Sequence, residues 1–173
     1  MKRLFITGAT GFIGQRLLEL LNPSEFEVFT LSRRPVANYK TVICDLSSEE
    51  IPNDALNGID FIIHLAGFAH DLGDATKIEK IYRKVNVDAT FKLAQLAAQK
   101  GVKHFVFISS VKAGGLAITE RCMTEKDQAE PEGIYGKTKR EAELKLLKIG
   151  LQSSMQVSIV RQHALSWSTF LNQ

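Results

Sequence analysis

The first fourteen residues constrain the fold more than any other stretch of the chain. A short apolar run, Leu4-Phe5-Ile6, leads into Thr7-Gly8-Ala9-Thr10-Gly11-Phe12-Ile13-Gly14 and then into an amphipathic segment. That order reads as a strand, a glycine turn and a helix start. Gly8 and Gly11 let the backbone turn tightly and approach a ligand, while Gly14 lets the new helix lie close against the strand. Amide hydrogens and the positive end of the helix dipole then converge on one point, where an anion such as a pyrophosphate is the expected occupant. Glycine turns also serve simply as turns, so the weight of this one depends on the rest of the chain.

Beyond residue 14 the pattern alternates. Strand-like runs occur at residues 3–6, 26–31, 41–44, 59–64, 104–109 and 156–161. Helical periodicity separates several of them. Residues 14–21 put Leu17, Leu18 and Leu21 on one face, and residues 78–100 repeat Ile81, Val85, Ala89, Leu93 and Leu96. Residues 135–149 carry Leu144 and Leu147 with lysine-rich outer positions, and Gly101 and Gly150 mark the ends of the second and third helices. Strands alternating with helices predict an α/β fold, a doubly wound parallel sheet with helices on both faces. With 173 residues, 45% of them apolar, the chain can bury one core.

Composition removes several function classes. The formal charge is +3, and apart from Arg33-Arg34 and Lys137-Lys139-Arg140 the basic residues are dispersed, so no nucleic-acid stripe is present. No apolar run has the length of a membrane span, and the chain enters its first strand without a signal-peptide hydrophobic region. A cytoplasmic protein with neither nucleic-acid nor membrane partners is the expectation. Cys44 and Cys122 lack metal-ligand spacing and read as buried or incidental thiols, and the four histidines form no metal set. His64, inside an apolar strand, reads as a core histidine with its nitrogens satisfied.

The end of the second strand is where a sheet of this kind reads a dinucleotide's ribose. An acid there suits the 2′-hydroxyl of NAD, and arginine suits the 2′-phosphate of NADP. The chain offers Leu31-Ser32-Arg33-Arg34 and no acid. A guanidinium grips phosphate in a bidentate fork, which makes NADP the expected cofactor, with NAD possible, Arg33 the first candidate and Arg34 the second; two loop arginines also stand as simply solvated. Downstream, Asp45 ends the third strand, either recognising an adenine amino group or capping the segment Ser47-Ser48-Glu49-Glu50.

Tyr135 and Lys139 lie four apart and so share one helical face. A tyrosine's ordinary pKa of about 10 is too high for proton exchange near neutrality, and a neighbouring ammonium lowers it. The run Phe105-Val106-Phe107-Ile108-Ser109-Ser110 ends a buried strand in two hydroxyls at the carboxyl edge, where parallel sheets place their ligands. A serine there can bond the substrate oxygen that Tyr135 protonates.

These residues together resemble the extended short-chain dehydrogenase/reductases, the NAD-dependent epimerase/dehydratase family, from residue 3 to about residue 161. The resemblance rests on Thr7 to Gly14, Asp45-Leu46, His64-Leu65-Ala66-Gly67, Asn86-Val87-Asp88-Ala89-Thr90, Ser109-Ser110 and Tyr135-Gly136-Lys137-Thr138-Lys139, in the family's order. Phe105 to Gly114 and Thr124-Glu125-Lys126-Asp127 are most similar to the branch of UDP-glucose 4-epimerases and 4-keto-sugar reductases. The resemblance implies a Rossmann-like dinucleotide-binding domain over residues 1–161. It implies that Phe12 and Ile13 follow the phosphate-binding glycines, that Arg33 and Arg34 discriminate the ribose and that Asp45 and Leu46 contact adenine. It further implies that Leu65, Ala66 and Gly67 pass under the nicotinamide and that Asn86 lies near the cofactor. Ser110, Tyr135 and Lys139 then form the catalytic triad, the last two also touching the cofactor; Ser110 is preferred to Ser109 because it stands 25 positions before Tyr135, a family-like interval.

Two departures stand out. After Ile159-Val160-Arg161 the family resemblance implies a Tyr-Gly-Pro segment, and here Gln162-His163-Ala164-Leu165-Ser166-Trp167 comes instead, so residues 162–173 read as an atypical tail. A truncated or frame-altered member, or a fragment, lacking most of the smaller lobe that holds the nucleotide sugar, is the expectation. Arg33-Arg34 is the other departure. The implied function is hydride transfer at sugar C4 in a UDP-sugar 4-epimerase or 4-ketoreductase; the alternatives are a catalytically silent dinucleotide-binding module and a reductase of a small carbonyl compound. These 173 residues are expected to bind dinucleotide, to turn over UDP-sugars negligibly and to self-associate, as a homodimer, through an exposed sheet edge.

Overall fold

Three apolar residues in a row, Leu4-Phe5-Ile6, cannot alternate between core and solvent, so a strand built from them must be covered on both faces. The computed structural model, which describes residues 1–69, 75–115, 124–125 and 127–163, covers them that way. Strand β1 (Lys2–Thr7) lies inside a six-stranded sheet with β2 (Phe26–Ser32), β3 (Lys40–Ile43), β4 (Phe61–His64), β5 (His104–Ser110) and β6 (Gln156–Gln162). The strand order is β3-β2-β1-β4-β5-β6 and every pairing is parallel. The doubly wound Rossmann-like sheet read from the sequence is therefore the fold, with each strand within two residues of its expected bounds.

One face is closed by α1 (Phe12–Leu20), whose Leu17 and Leu18 pack with Leu4, Ile6, Phe26, Val28 and Ile63. The opposite face is closed by α3 (Thr90–Gln99) and α5 (Gly133–Gln152). Leu93, Ala94 and Ala97 of the first and Ala142, Leu146 and Ile149 of the second pack with Phe5, Ile62, Phe105 and Phe107.

The helical stretch read as one helix over residues 78–100 is three segments: α2 (Ala75–Tyr82), a π-helical piece Arg83–Ala89, and α3. The wide turns of the π-helix rotate the inner face by about one residue. Tyr82, Asn86 and Thr90 are therefore buried, and Ile81, expected inside, is 39% exposed. In α5 the inner positions go to Thr138, Lys139, Ala142, Glu143, Leu146 and Ile149, not to Leu144 and Leu147, which are 57% and 45% exposed. Two charged residues occupy core positions because the fold pairs them internally. Nor does Gly150 end the helix; a Cβ there would come within 2.9 Å of Val157, so the glycine serves a close approach to β6. A short helix, α4 (Val111–Gly114), follows β5 and has no counterpart in the sequence pattern. Cys122, Lys126 and the tail from residue 164 fall outside the described residues. Among the described residues no helix is long and apolar enough to cross a membrane.

Candidate active site

Because β1 and β4 are neighbours whose chains depart in opposite directions across the sheet, a crevice opens at their carboxyl ends. Gly8 sits there with φ of +73°, and a Cβ on it would lie 2.6 Å from the Ala66 nitrogen and 2.8 Å from the Leu65 carbonyl carbon. The loop after β1 thus touches the loop Leu65-Ala66-Gly67 after β4 through the bare side of a glycine. Gly14 folds the start of α1 back in the same way, since a Cβ on it would meet the Gly8 carbonyl oxygen at 2.4 Å. Gly11 occupies the N-cap of α1 and has no side chain with which to cap it. Gly8 and Gly14 therefore serve close approach of backbone to backbone, and Gly8, Gly11, Phe12, Ile13 and Gly14 stand at the positive end of a helix dipole, a setting whose chemistry suits a pyrophosphate.

At the β2 and β3 end, Arg33 and Arg34 are exposed immediately beyond β2. Asp45, just past β3, accepts from the Ser47 amide at 2.8 Å and the Ser47 hydroxyl at 2.7 Å. These bonds hold its carboxyl below the ordinary range, with the Arg33 charge helping. Asp45 thus closes a turn, not a helix: the amides of Ser48 and Glu49 return to its carbonyl. Leu46 beside it is half-buried against the core.

The β5 end is built differently, from buried polar side chains. Lys139 is 3% exposed; its ammonium donates to the Ile108 carbonyl at 2.7 Å and lies 4.2 Å from the Phe107 ring centroid. Burial lowers its pKa to about 8, against the opposing pull of Glu143. Tyr135, one turn earlier, stacks edge-on to the buried Tyr82 with centroids 6.2 Å apart. Burial raises its phenol above the ordinary value, opposite in direction to what the Tyr–Lys pairing predicts. The physical reason is that the Lys139 ammonium is engaged by the Ile108 carbonyl, leaving desolvation to govern the phenol.

The two serines that end β5 part company. The Ser109 hydroxyl, 1% exposed, turns inward and donates to Glu143 at 2.6 Å. Ser110 caps α4, accepting from the Lys112 amide at 3.3 Å. Gly136 then lets α5 meet α4 backbone to backbone, since a Cβ on it would lie 2.4 Å from the Lys112 carbonyl oxygen. Tyr135, next to that contact, and Ser110, at the start of α4, are brought to one place.

Asn86 is near this site, and its amide is committed to the protein. It accepts from the Phe68 amide at 2.7 Å, and its nitrogen donates to the Phe68 carbonyl at 3.0 Å and to Thr138 at 3.3 Å. It grips the loop from Leu65 onward, in which Gly67 is so placed that a Cβ would lie 3.3 Å from Asn86 and 3.6 Å from the Lys139 nitrogen. His64 is a satisfied core histidine, with Nδ1 2.6 Å from the Thr7 hydroxyl and Nε2 2.8 Å from that of Thr90. Burial, then the Lys139 charge, depresses its pKa to about 3, so it is neutral. Sequence reasoning passed over Glu143, Arg161 and the inward role of Ser109. One signal was present, an acid four residues after Lys139 and therefore on the same face of the helix.

With that geometry in place, comparisons add relatives. The family model described as NAD dependent epimerase/dehydratase matches residues 4–165. A UDP-glucose 4-epimerase from Vibrio cholerae is 33% identical over 166 residues, 92% of this chain and 51% of the relative. A sterol-4-alpha-carboxylate 3-dehydrogenase, decarboxylating, from Dictyostelium discoideum is 30% identical over 98% of this chain and 55% of its own length. Among solved structures, MoeE5 in complex with UDP-glucuronic acid and NAD superposes with a TM-score of 0.80 at 31% identity, over 92% of this chain and 54% of MoeE5. The chain thus spans about half the length of these relatives.

Proposed function

The chain belongs to the NAD dependent epimerase/dehydratase family, and from that premise we propose that it binds a nicotinamide dinucleotide across the β1/β4 crevice and serves hydride transfer at C4 of a UDP-sugar, as a 4-epimerase or 4-ketoreductase. One observation supports the reading: the glycine turn after β1, the Gly67 loop with Lys139 beside it, and Ser110 all stand at the carboxyl edge of the sheet. The structure of MoeE5 in complex with UDP-glucuronic acid and NAD supports it.

When bound, the dinucleotide supplies a carbon that accepts and returns a hydride. The chain's own residues manage the oxygen at C4. The Ser110 hydroxyl orients that oxygen by hydrogen bonding, and the Tyr135 phenol gives it a proton or takes one away. A phenol held above its ordinary pKa is protonated at neutral pH. That is the form that donates to a developing alkoxide, so the resting site is set for the reductive direction. Lys139, held on the Ile108 carbonyl, keeps a buried positive charge one helical turn from Tyr135, and both Lys139 and Tyr82 are shut off from water. Arg33, exposed beyond β2 with no acid on that strand end, makes NADPH the preferred form.

The test uses the whole 173-residue chain with NADP+ or NAD+ and then UDP-sugars, following absorbance at the reduced nicotinamide band. Growth of the band limited to a stoichiometric, single-passage amount, with negligible sustained turnover, that depends on UDP-sugar and disappears in Tyr135→Phe is expected. A second reading, a dinucleotide-binding module without turnover, is favoured by the commitment of the Lys139 ammonium to the Ile108 carbonyl and by a phenol held above its ordinary pKa. Calorimetric dinucleotide binding without hydride transfer from any UDP-sugar would overturn the first reading in favour of the second.

A further inference from the structure

We propose that Glu143 is a positioning residue, the buried anchor that holds α5 against the ends of β5 and β6 and thereby fixes Lys139 and Ser110 relative to one another. The inference rests on the proposed function, in which Lys139 and Ser110 serve the reaction, and it concerns a residue outside that triad.

Glu143 is 2% exposed, and taking a carboxylate out of water costs several kcal/mol unless close partners offset it. Its partners come from elements far apart in sequence. Oε1 accepts from the Ser109 hydroxyl at 2.6 Å and from Arg161 Nε at 2.9 Å, and Oε2 accepts from Arg161 Nη2 at 2.6 Å. Arg140 Nη1, a buried nitrogen without a hydrogen-bond acceptor among the described residues, lies 3.9 Å from Oε2. Ser109 and Arg161 are register partners on β5 and β6, so a single carboxylate fastens a facing pair of strand residues to the helix above them. Arg161 reaches further, donating to Gln128 at 3.2 Å and passing so close to Gly114 that a Cβ there would lie 2.9 Å from Nη1. The last residue of α4 and the segment that leads into α5 are tied to the same group.

The placement on α5 matters most. Glu143 is one turn beyond Lys139. Lys139 holds the Ile108 carbonyl, Glu143 holds the Ser109 hydroxyl, and Ser110 is the next residue. A helix bonded to two consecutive residues of one strand cannot slide or rotate against it without breaking a bond. The same carboxylate is the negative charge that favours the ammonium form of Lys139 in its dry surroundings. The charged or titratable groups nearest this pair are Tyr135 and Arg140 on α5, His64 on β4 and Arg161 on β6; Glu141 of α5 is paired instead with Arg83 and Lys145. His64 is neutral, so removing Glu143 takes away the negative charge that acts on Lys139.

The experiment is a titration of Lys139 in the whole cofactor-free chain labelled with 13Cε-lysine, the signal assigned by its loss in Lys139→Arg. In Glu143→Gln, which keeps the size and a hydrogen-bonding oxygen, the Lys139 proton affinity should fall about tenfold or more. In Arg161→Met, which removes a cation and leaves the carboxylate, it should rise. Glu143→Asp should stay nearer the parent than Glu143→Gln does. A purely structural role predicts something else: loosening would admit water and raise the Lys139 affinity in both Glu143→Gln and Arg161→Met. Shifts of the same sign, or none in folded Glu143→Gln, would overturn the proposal. Should Glu143→Gln fail to fold, the Arg161→Met arm decides, since an unchanged or lowered affinity there contradicts it. The titration uses no dinucleotide, so failure of dinucleotide binding in the parent would sink the functional reading and leave this test readable.

Discussion

Glu27 and Glu143 are each held between two cations, at opposite ends of the same sheet. Glu27, at the amino end of β2, accepts from Arg3 at 3.0 Å and Lys40 at 2.7 Å, with side chains 46% and 70% exposed on the two cations. Glu143, at the carboxyl end of β5 and β6, takes Arg161 at 2.6 Å with its own side chain 3% exposed. The chemistry is the same and the solvent differs. At the amino end water screens each charge, so making or breaking the pair changes little. At the carboxyl end the charges have left water, so the pair makes the local geometry all-or-none. The edge that carries the candidate site is the edge where polar groups are buried.

The contrast breaks most sharply at Glu143. Glu143→Ala leaves a guanidinium and the Ser109 hydroxyl without their acceptor, and should cost about 3 kcal/mol in chemical denaturation, the low end for a broken buried pair because Arg161 keeps some exposure. Replacing both partners, Glu143→Leu with Arg161→Met, should return most of that stability, since no unpaired charge is left behind. A single mutant as mild as an exposed one would remove burial as the distinction between the two ends.

The next effect belongs to the half proposed to bind the dinucleotide's phosphates. Arg33→Ala should weaken NADPH by about 1.5 to 3 kcal/mol and leave NADH nearly unchanged, because only the 2′-phosphate offers a charged partner. Parallel calorimetric titrations read both. Equal affinities of the parent for the two cofactors would remove Arg33 from its role.

These two halves also differ in how plainly the sequence announced them. Gly8, Gly11 and Gly14 act through backbone shape within seven residues, so the strand, the turn and the succeeding helix could be read directly. Parallel, doubly covered strands were legible for the same reason, as continuous apolar runs. The β5 half depends on contacts across 18 to 34 positions, Ser109 and Arg161 to Glu143, and no local period encodes those. Leu144 and Leu147 misled because hydrophobicity ranks leucine as inner and glutamate as outer. Burial of Lys139 and Glu143 reverses that order, since their partners arrive from another strand. The π-helical piece escaped likewise: within it Asn86 grips Phe68, a tertiary contact that no local period encodes.

His64 gives a third, smaller effect, on the pH axis. Its folded pKa, about 3, lies below the ordinary value of 6.5 because burial penalises the charged ring. As pH falls below 6.5 the unfolded chain takes a proton that the folded chain refuses, so stability is full above that value and declines towards pH 3. Between pH 6.5 and 5 the loss should be about 1 to 2 kcal/mol. His64→Asn, which keeps polar atoms for Thr7 and Thr90 and cannot titrate, should flatten that slope whatever its effect at neutral pH. An unchanged slope would mean the imidazole is protonated inside the fold.

The smallest effect is expected at Glu27, and its smallness is the point. Hydrogen bonds from Lys40 and then Arg3 hold its carboxyl below 4.5, so any stability it lends is present above that pH and is lost as the pH falls below it. All three side chains keep contact with water, and at about 1 M salt the screening length shrinks to about 3 Å, shorter than the reach of either cation's field. Glu27→Gln should therefore leave the denaturation midpoint at pH 7 nearly where it was, and whatever difference remains should vanish in high salt and fade as the pH falls below 4.5 and through the lowered folded value. Glu143→Ala, compared under the same conditions, should keep its full cost in high salt, because ions do not enter the space between α5 and β6. If both variants lost their effect in salt together, the carboxyl edge would be as wet as the amino edge, and the buried lock behind Lys139 would not exist.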